Sequence, residues 1–547
     1  MPIVGQVAVK LKPAGICDAF DSTELFLGAS IKMSNLIFDQ GNPECGVPRP
    51  GVGVAVLTAA QIQTQIGSGT ATFISGHIGI GTTVYGMVSM SGGTFNGLDV
   101  PFAYNFNTGT FLPITGIAAG SSPLSPLTTG PWNPPTFAVI GIYLIVTHPG
   151  WNGVGANFFG ALNLSTNAWS VQNLLTNALP SPPIAVANFN NRAYFAIGNQ
   201  SFYSDSLNPL KATNAGQVLT HGDNSPIVGY VGLPVTTSTG GVVQQLLVVK
   251  PASIWFVTGD AAIANTLATN FLSTTLGCSA PRTLVQAPQG VYMIGTDGAM
   301  LVDQLGIVKK VTHRGSPESD IRVPFVNAQV PSRLAGAFAS NIYRVFVPNT
   351  IIQGNTVNND YWFDTIRERW NGPHSFAYDC ASQLGAYFLL SGSATGANLF
   401  QSNPTPTATS IYTDNGNAFN CEWQSADFPK TGKPNGQEIV ESTQELGGPS
   451  IPFNIAILDD SGDVLSSCLI KTPAAGITWD SGPLWDGGAK YATSITVPST
   501  FTVPWTNPVV APKFQIDITA AATAGMIIGA HMSKHKDTGY QVAQTSS

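Results

Sequence analysis

Few residues of the 547-residue sequence stand at spacings that do chemistry. The nearest approach to a serine on a strand-to-helix elbow is Gly277-Cys278-Ser279-Ala280-Pro281, which lacks the second glycine that the G-x-S-x-G turn needs. Gly79-Ile80-Gly81 and Gly153-Val154-Gly155 start like phosphate cradles, but neither is followed by the third glycine or opens a helix, so both read as turns. Asp459-Asp460-Ser461-Gly462-Asp463 gathers oxygens as a calcium loop would, without the alternate ligand spacing or closing Glu. Flanked by Ile455-Ala456-Ile457-Leu458 and Val464-Leu465, it reads as a hairpin turn. Asp297-Gly298 reads as a two-residue hairpin turn with a positive φ.

The seven histidines are isolated, with no H-E-x-x-H, and His313 and His374 adjoin turns and are expected at the surface. Asp205, Asp303, Asp364 and Glu368 fall at expected strand ends. A glycosidase would need two of them about 5–9.5 Å apart, and nothing in the sequence brings any two together. Trp255, Trp362 and Trp370 could line a sugar pocket, but packing between sheets is the favoured reading for rings of this size. The six cysteines lie far apart, with no C-x-x-C and no Cys/His pair at zinc spacing. They read as small buried thiols in a reducing compartment. No catalytic, cofactor-binding or metal-binding residue is assigned, and no enzymatic activity is expected.

The elements that would position such groups are strands. Charged residues make only 10% of the chain against 43% hydrophobic residues, with 58 Gly and 39 Pro. That apolar content is enough to fold and excludes disorder. The longest apolar run, 137–146, is too short for the roughly 20 residues that span a bilayer as a helix. No stable membrane insertion is expected, and the N-terminus shows no signal peptide. The net charge of −7, with cations thinly spread, argues against a tight grip on nucleic acid. The densest basic groups, Lys309-Lys310 with His313-Arg314 and then Arg367 and Arg369, read as solvated strand ends.

Helical patterning is confined to 59–64 and 260–272. Elsewhere short apolar or alternating runs are cut by Gly, Pro, Asn, Asp and Ser, the pattern of strands and turns. A loose strand–turn–strand unit recurs at 104–111, 158–169, 192–204, 248–260, 290–312, 342–370 and 385–401. The spacing of roughly 40 to 60 residues is near that of four-stranded propeller blades. The fold class is therefore all-β: a β-propeller of six or seven irregular blades plus a C-terminal β-sandwich. The expected divisions are 1–66, a strand segment packing on or closing the propeller; 67–414, the propeller; 415–533, the sandwich; and 534–547, a mobile tail. Within the sandwich, strands are expected at 418–423, 451–458, 494–503 and 514–519.

Several segments resemble one family, the tail nozzle or tail-tubular β-propeller proteins of short-tailed bacteriophages, related to packaged-DNA-stabilising plug proteins. They are Ser34-Asn35-Leu36-Ile37-Phe38-Asp39, then Gly46-Val47-Pro48-Arg49-Pro50-Gly51, and Asn191-Arg192-Ala193-Tyr194-Phe195 running into 203–209. The stretch 246–312 adds Ser253-Ile254-Trp255, 277–282, Gly290-Val291-Tyr292-Met293-Ile294 and Asp297-Gly298. The resemblance implies a structural virion protein without catalysis or cofactor, forming a hexameric ring at the end of the phage tail. Its partners would be copies of itself, the tail adaptor or head-to-tail connector, and tail fibres or receptor-binding proteins. Genomic DNA would pass through the lumen during genome ejection, and assembly would take place in the host cytoplasm. A weakly charged, apolar chain suits the broad contacts of a permanent ring, and its net negative charge discourages a passing polyanion from sticking. The alternatives are a fibre-docking or receptor-binding propeller hub, and a glycan-binding or glycan-cleaving propeller.

Overall fold

The computed structural model describes residues 7–11, 13, 15–17, 29–42, 44–125, 134–236, 242–263, 266–311, 321–352, 355–392, 396–407, 409–428, 437–473, 498–505 and 509–537. Five four-stranded antiparallel sheets follow one another along the chain, over 70–111, 136–172, 185–220, 229–273 and 285–310. A sixth, over 335–374, forms the first four strands of a nine-stranded sheet, and a three-stranded sheet over 380–402 completes the series. We number them blades 1 to 7 in chain order.

The first strands of the blades pack against one another in that same order, and Cys380–Leu384 of blade 7 packs against Thr70–Ile80 of blade 1. The ring is therefore closed, the arrangement of a β-propeller. Each strand–turn–strand unit expected from the sequence overlaps a separate blade, residue 312 lying outside the described residues.

Aromatic and branched side chains fill the gaps between blades. Phe159 and Phe195 meet at 4.8 Å between blades 2 and 3, and Tyr292 and Tyr343 at 5.0 Å between blades 5 and 6. Glycine makes room for one of these wedges. A Cβ at Gly160 would stand 2.0 Å from the Trp169 ring, which lies across that position from the neighbouring strand. Burying such rings at each gap offsets the chain entropy that ordering many short strands costs.

The helix expected at 59–64 is present as Ala59–Ile66, with a Thr58/Gln61 capping box and Gly67 at φ 76° ending it. The expected helix at 260–272 is not. The Thr266 hydroxyl donates to the Asp260 carbonyl to close a turn, and Ala268–Ser273 then pairs with Ile254–Thr258 as the last strand of blade 4. The threonines in that stretch favour strand over helix.

The C-terminal residues extend the nine-stranded sheet of blade 6 and form one further sheet. Asn420–Ser425, Gln515–Ala521, Pro452–Leu458 and Val464–Lys471 lie side by side. In the second sheet Gln437–Gly447 pairs with Ile527–Asp537, Ser499–Thr502 and Val509–Ala511. The N-terminal segment is shared between modules. Val7–Leu11 pairs with Ile527–Asp537, and the hairpin Leu36–Phe38/Gly46–Pro48 joins the same sheet. Ser30–Ser34 lies between Arg369–His374 of blade 6 and Asn420–Ser425, so one nine-stranded sheet runs from propeller into sandwich. Residues 51–57 instead run onto the propeller, where the Val56 amide donates to the Leu399 carbonyl at 2.9 Å.

The expected tail starts too early. Residues 534–537 belong to Ile527–Asp537, and Lys534 pairs with Glu441 across to the neighbouring strand. Residues 538–547 lie outside the described residues, as do His313 and Arg314.

Candidate functional site

Two places concentrate polar side chains inside this apolar molecule. The first is the junction of propeller and sandwich. Arg49 is fully buried, and its guanidinium donates to both carboxylate oxygens of Asp414, to Asn35 Oδ1 at 3.0 Å, to the Pro50 carbonyl at 3.1 Å and to Ser375 Oγ at 3.3 Å. Its carbon lies 4.4 Å from the centre of the Phe419 ring. Asn35, held at φ 55°, donates on to the Asn420 carbonyl at 2.7 Å. Gly51 passes so close to Thr413 that a Cβ would stand 2.2 Å from its carbonyl oxygen. Residues of the two N-terminal segments that carry the family resemblance are therefore parts of one joint. A second buried pair, Arg344 and Asp360 at 2.6 Å, joins blades 6 and 7: Tyr378 and Trp362 donate to the carboxylate, and Arg344 donates to Ser402 Oγ.

The second place is the propeller axis, a cavity of about 540 Å³. Every blade reaches it, for example through His77, Thr136, Val186, Tyr230, Gln286, Ala337 and Ser382. The chain's Gly277–Pro281 stretch, the near miss for a nucleophile elbow, ends here: Ser279, Pro281 and the following Arg282 line the cavity while Cys278 is buried. Arg282 reaches from the start of blade 5 to the Ser75 carbonyl (3.1 Å) in the first strand of blade 1 and to the Asp379 carbonyl ahead of blade 7. Burial pushes its pKa down to about 10, still cationic at neutral pH. His77 Nδ1 lies 2.6 Å from Ser382 Oγ; burial, and then the nearby Arg282 charge, pushes this imidazole down to about 3, so it is neutral.

Beside the axis, Ser75 and His148 both address Asp99. The Ser75 hydroxyl donates to Oδ2, and His148 Nε2 lies 2.9 Å from the same oxygen, while Nδ1 accepts from the Gly150 amide. The ring proton therefore sits on Nε2. The three residue types are those of a hydrolytic triad, but the hydroxyl is bound to the carboxylate and not to the imidazole, and all three are buried. This constellation holds blade 1 to blade 2 and activates no nucleophile.

The carboxylates singled out in the sequence fall in three blades, two of them in one turn. Asp205 accepts from the Thr213 amide and hydroxyl in blade 3, and Asp303 from the Leu305 and Ile307 amides in blade 5. Asp364 and Glu368 share one blade 6 turn, where Asp364 pairs with Arg367 at 2.6 Å and Glu368 takes a φ of 55°. Trp362 and Trp370 are fully buried in packing clusters, and Trp255 is half-buried against blade 3. His374, expected at the surface, is buried: its Nε2 lies 3.0 Å from Asn371 Oδ1, and its ring packs edge-on to Trp362. The Asp459 carboxylate accepts from the Ser461 and Asp463 amides, closing a hairpin. In the Asp297 hairpin the two loop residues are Thr296 and Asp297, and Gly298, at φ 106°, begins the returning strand. Lys309 and Lys310 pair with Asp303 and Asp297. All six cysteines are free thiols. Among the described residues no group of three or more His, Cys, Asp or Glu could hold a metal ion, and no helix is long and apolar enough to cross a membrane.

No protein-family model matches the chain, and no curated protein matches it. Among solved structures it is similar to an auxiliary nutrient binding protein from Bacteroides thetaiotaomicron VPI-5482, at 11% identity over 73% of this chain and 76% of that one, with a TM-score of 0.29. An exo-beta-1,3-galactanase from Phanerochaete chrysosporium, solved with galactose, aligns at 7% identity over 85% of this chain and 96% of that one, TM-score 0.23. The WD40 beta propeller domain of Doa1 aligns at 8% identity over 60% of this chain and 92% of that one, TM-score 0.33. These scores are low, and the propeller assignment rests on the strand pairing above.

Proposed function

We propose that the chain is a structural virion protein, a subunit of the tail nozzle ring of a short-tailed bacteriophage, and that it performs no catalysis. The observation that carries this reading is the joint at Arg49. The segments resembling that family supply Asn35, Arg49 and Gly51, which lock a propeller to a sandwich beside a continuous nine-stranded sheet. A body without a hinge at that joint suits a load-bearing wall.

In this reading the conduit for DNA lies between subunits. The propeller's own cavity, at about 540 Å³ and crossed by Arg282, has no room for a duplex whose major groove alone is about 12 Å wide. Subunit contacts would use exposed apolar groups such as Val242, Val243, Leu305 and Ile307 at the rim of blades 4 and 5. The tail adaptor and fibre or receptor-binding proteins would dock on the outer faces of the ring.

The test is sedimentation velocity on the recombinant chain and on a Val242→Lys/Leu305→Lys variant. A ring-sized species that the variant converts to monomer supports the reading. Wild-type protein that stays monomeric at high concentration overturns it.

A further inference from the structure

The axial cavity has the size of a small-molecule site, which typically holds about 300–1,000 Å³. Independently of the ring reading, we propose that it binds a small polyhydroxylated carboxylate, a sugar acid of the uronic type.

Three features of the lining point to this chemistry. Arg282 is the one charged side chain among the described lining residues, so the cavity favours an anion over a cation. A guanidinium meets a carboxylate with matched, planar geometry. Second, His77 lines the cavity with its Nδ1 2.6 Å from Ser382 Oγ, which fixes that hydroxyl at the wall. Third, Ser279, Ser382, Gln286 and Gln383 add hydroxyl and amide groups around the same space, with apolar Ala337 and Val186 on the walls. Convergent polar groups on an apolar lining are how pockets orient a sugar ring. An Asp or Glu, which would repel the carboxylate, is absent from the described lining.

The experiment is isothermal titration calorimetry on the full chain with sodium glucuronate, glucose, acetate and inorganic phosphate. Glucuronate is expected to bind with a Kd of about 1 mM or tighter, as a ligand of its size would. Glucose and acetate, each carrying half of the recognised chemistry, are expected to bind about tenfold or more weakly. Arg282→Gln should remove the preference for glucuronate over glucose. Because Arg282 also bridges blades, a second variant at the mouth is needed. Gln383 is exposed, so Gln383→Trp should block the cavity and abolish binding while leaving the thermal midpoint unchanged. No heat of binding with glucuronate, equal affinity for phosphate or acetate, or undiminished binding to folded Gln383→Trp would each overturn the proposal. None of these outcomes bears on ring formation, which sedimentation reads separately.

Discussion

Arg49 and Asp414 stand 365 residues apart in the sequence and form an ion pair in which the arginine side chain has no exposure to solvent. The pair ties the N-terminal segment to the end of the propeller just before the sandwich begins. Such a pair adds little over an apolar replacement of the same shape, but losing one partner strands the other charge. Arg49→Met is therefore expected to lower unfolding free energy by about 3–5 kcal/mol. Urea denaturation measures it, and the double variant Arg49→Met/Asp414→Leu should lose less than the two single variants summed. A loss below about 1 kcal/mol for Arg49→Met would contradict the buried role.

Gly51 crosses the Thr413 backbone where no Cβ fits. Gly51→Ala is expected to cost about 1–3 kcal/mol by forcing the two segments apart. Gly120→Ala, where nothing lies within 4 Å, should stay within about 0.5 kcal/mol. Denaturation midpoints of the two variants give the comparison, and equal losses would be the contrary result.

Acid should weaken the fold well above the range in which carboxylates titrate. Burial pushes His77 and His531 down to about 3, and His221 and His535 to about 4. Unfolded, each titrates near 6.5 and binds more protons than the folded state below that pH. Their contribution is thus complete above about pH 6.5 and is lost progressively as pH falls toward the folded values. Urea midpoints should fall steadily between pH 6.5 and 4.5. His531→Gln should flatten that slope, and an unchanged slope in all four single-histidine variants would refute the assignment.

Asp517 works in the opposite direction. Burial, then the Glu422 charge, raises its carboxyl to about 6, and its Oδ1 has no hydrogen-bond partner. The folded state then binds more protons than the unfolded state between pH 3.8 and 6, so stability from this group is present at low pH and lost as pH rises through 6. Asp517→Asn is expected to stabilise the protein by about 1–2 kcal/mol at pH 7.5 and to have no such effect at pH 4. Denaturation at the two pH values checks it; destabilisation at pH 7.5 would be the opposite finding.

Much of the propeller is legible in local sequence because each blade is a run of adjacent antiparallel strands joined by short turns. The units at 192–204 and 290–312 show this, their turns marked by Gly198 and Gly298. The sandwich is less legible because its pairings are long-range. Val7–Leu11 against Ile527–Asp537, and Ser30–Ser34 against Asn420–Ser425, leave no local trace. Gln437–Gly447, which pairs along both edges, also goes unread, since its Glu and Gln interrupt any apolar run.

The axial cavity was not legible at all: its lining comes as short stretches from every blade, far apart in the sequence. One signal did exist for the buried pairs. In a chain with 10% charged residues, Arg344 inside Ile342-Tyr343-Arg344-Val345-Phe346-Val347 is a charge in a buried strand. Such a charge demands a partner, which Asp360 supplies from the neighbouring strand.

Electron cryomicroscopy of the purified recombinant chain tests the central claim most directly. The account predicts closed rings of identical subunits around a lumen wide enough for duplex DNA, each subunit holding propeller and sandwich in one fixed relation. Isolated subunits without a ring, or subunits whose two modules take many relative orientations, would contradict it.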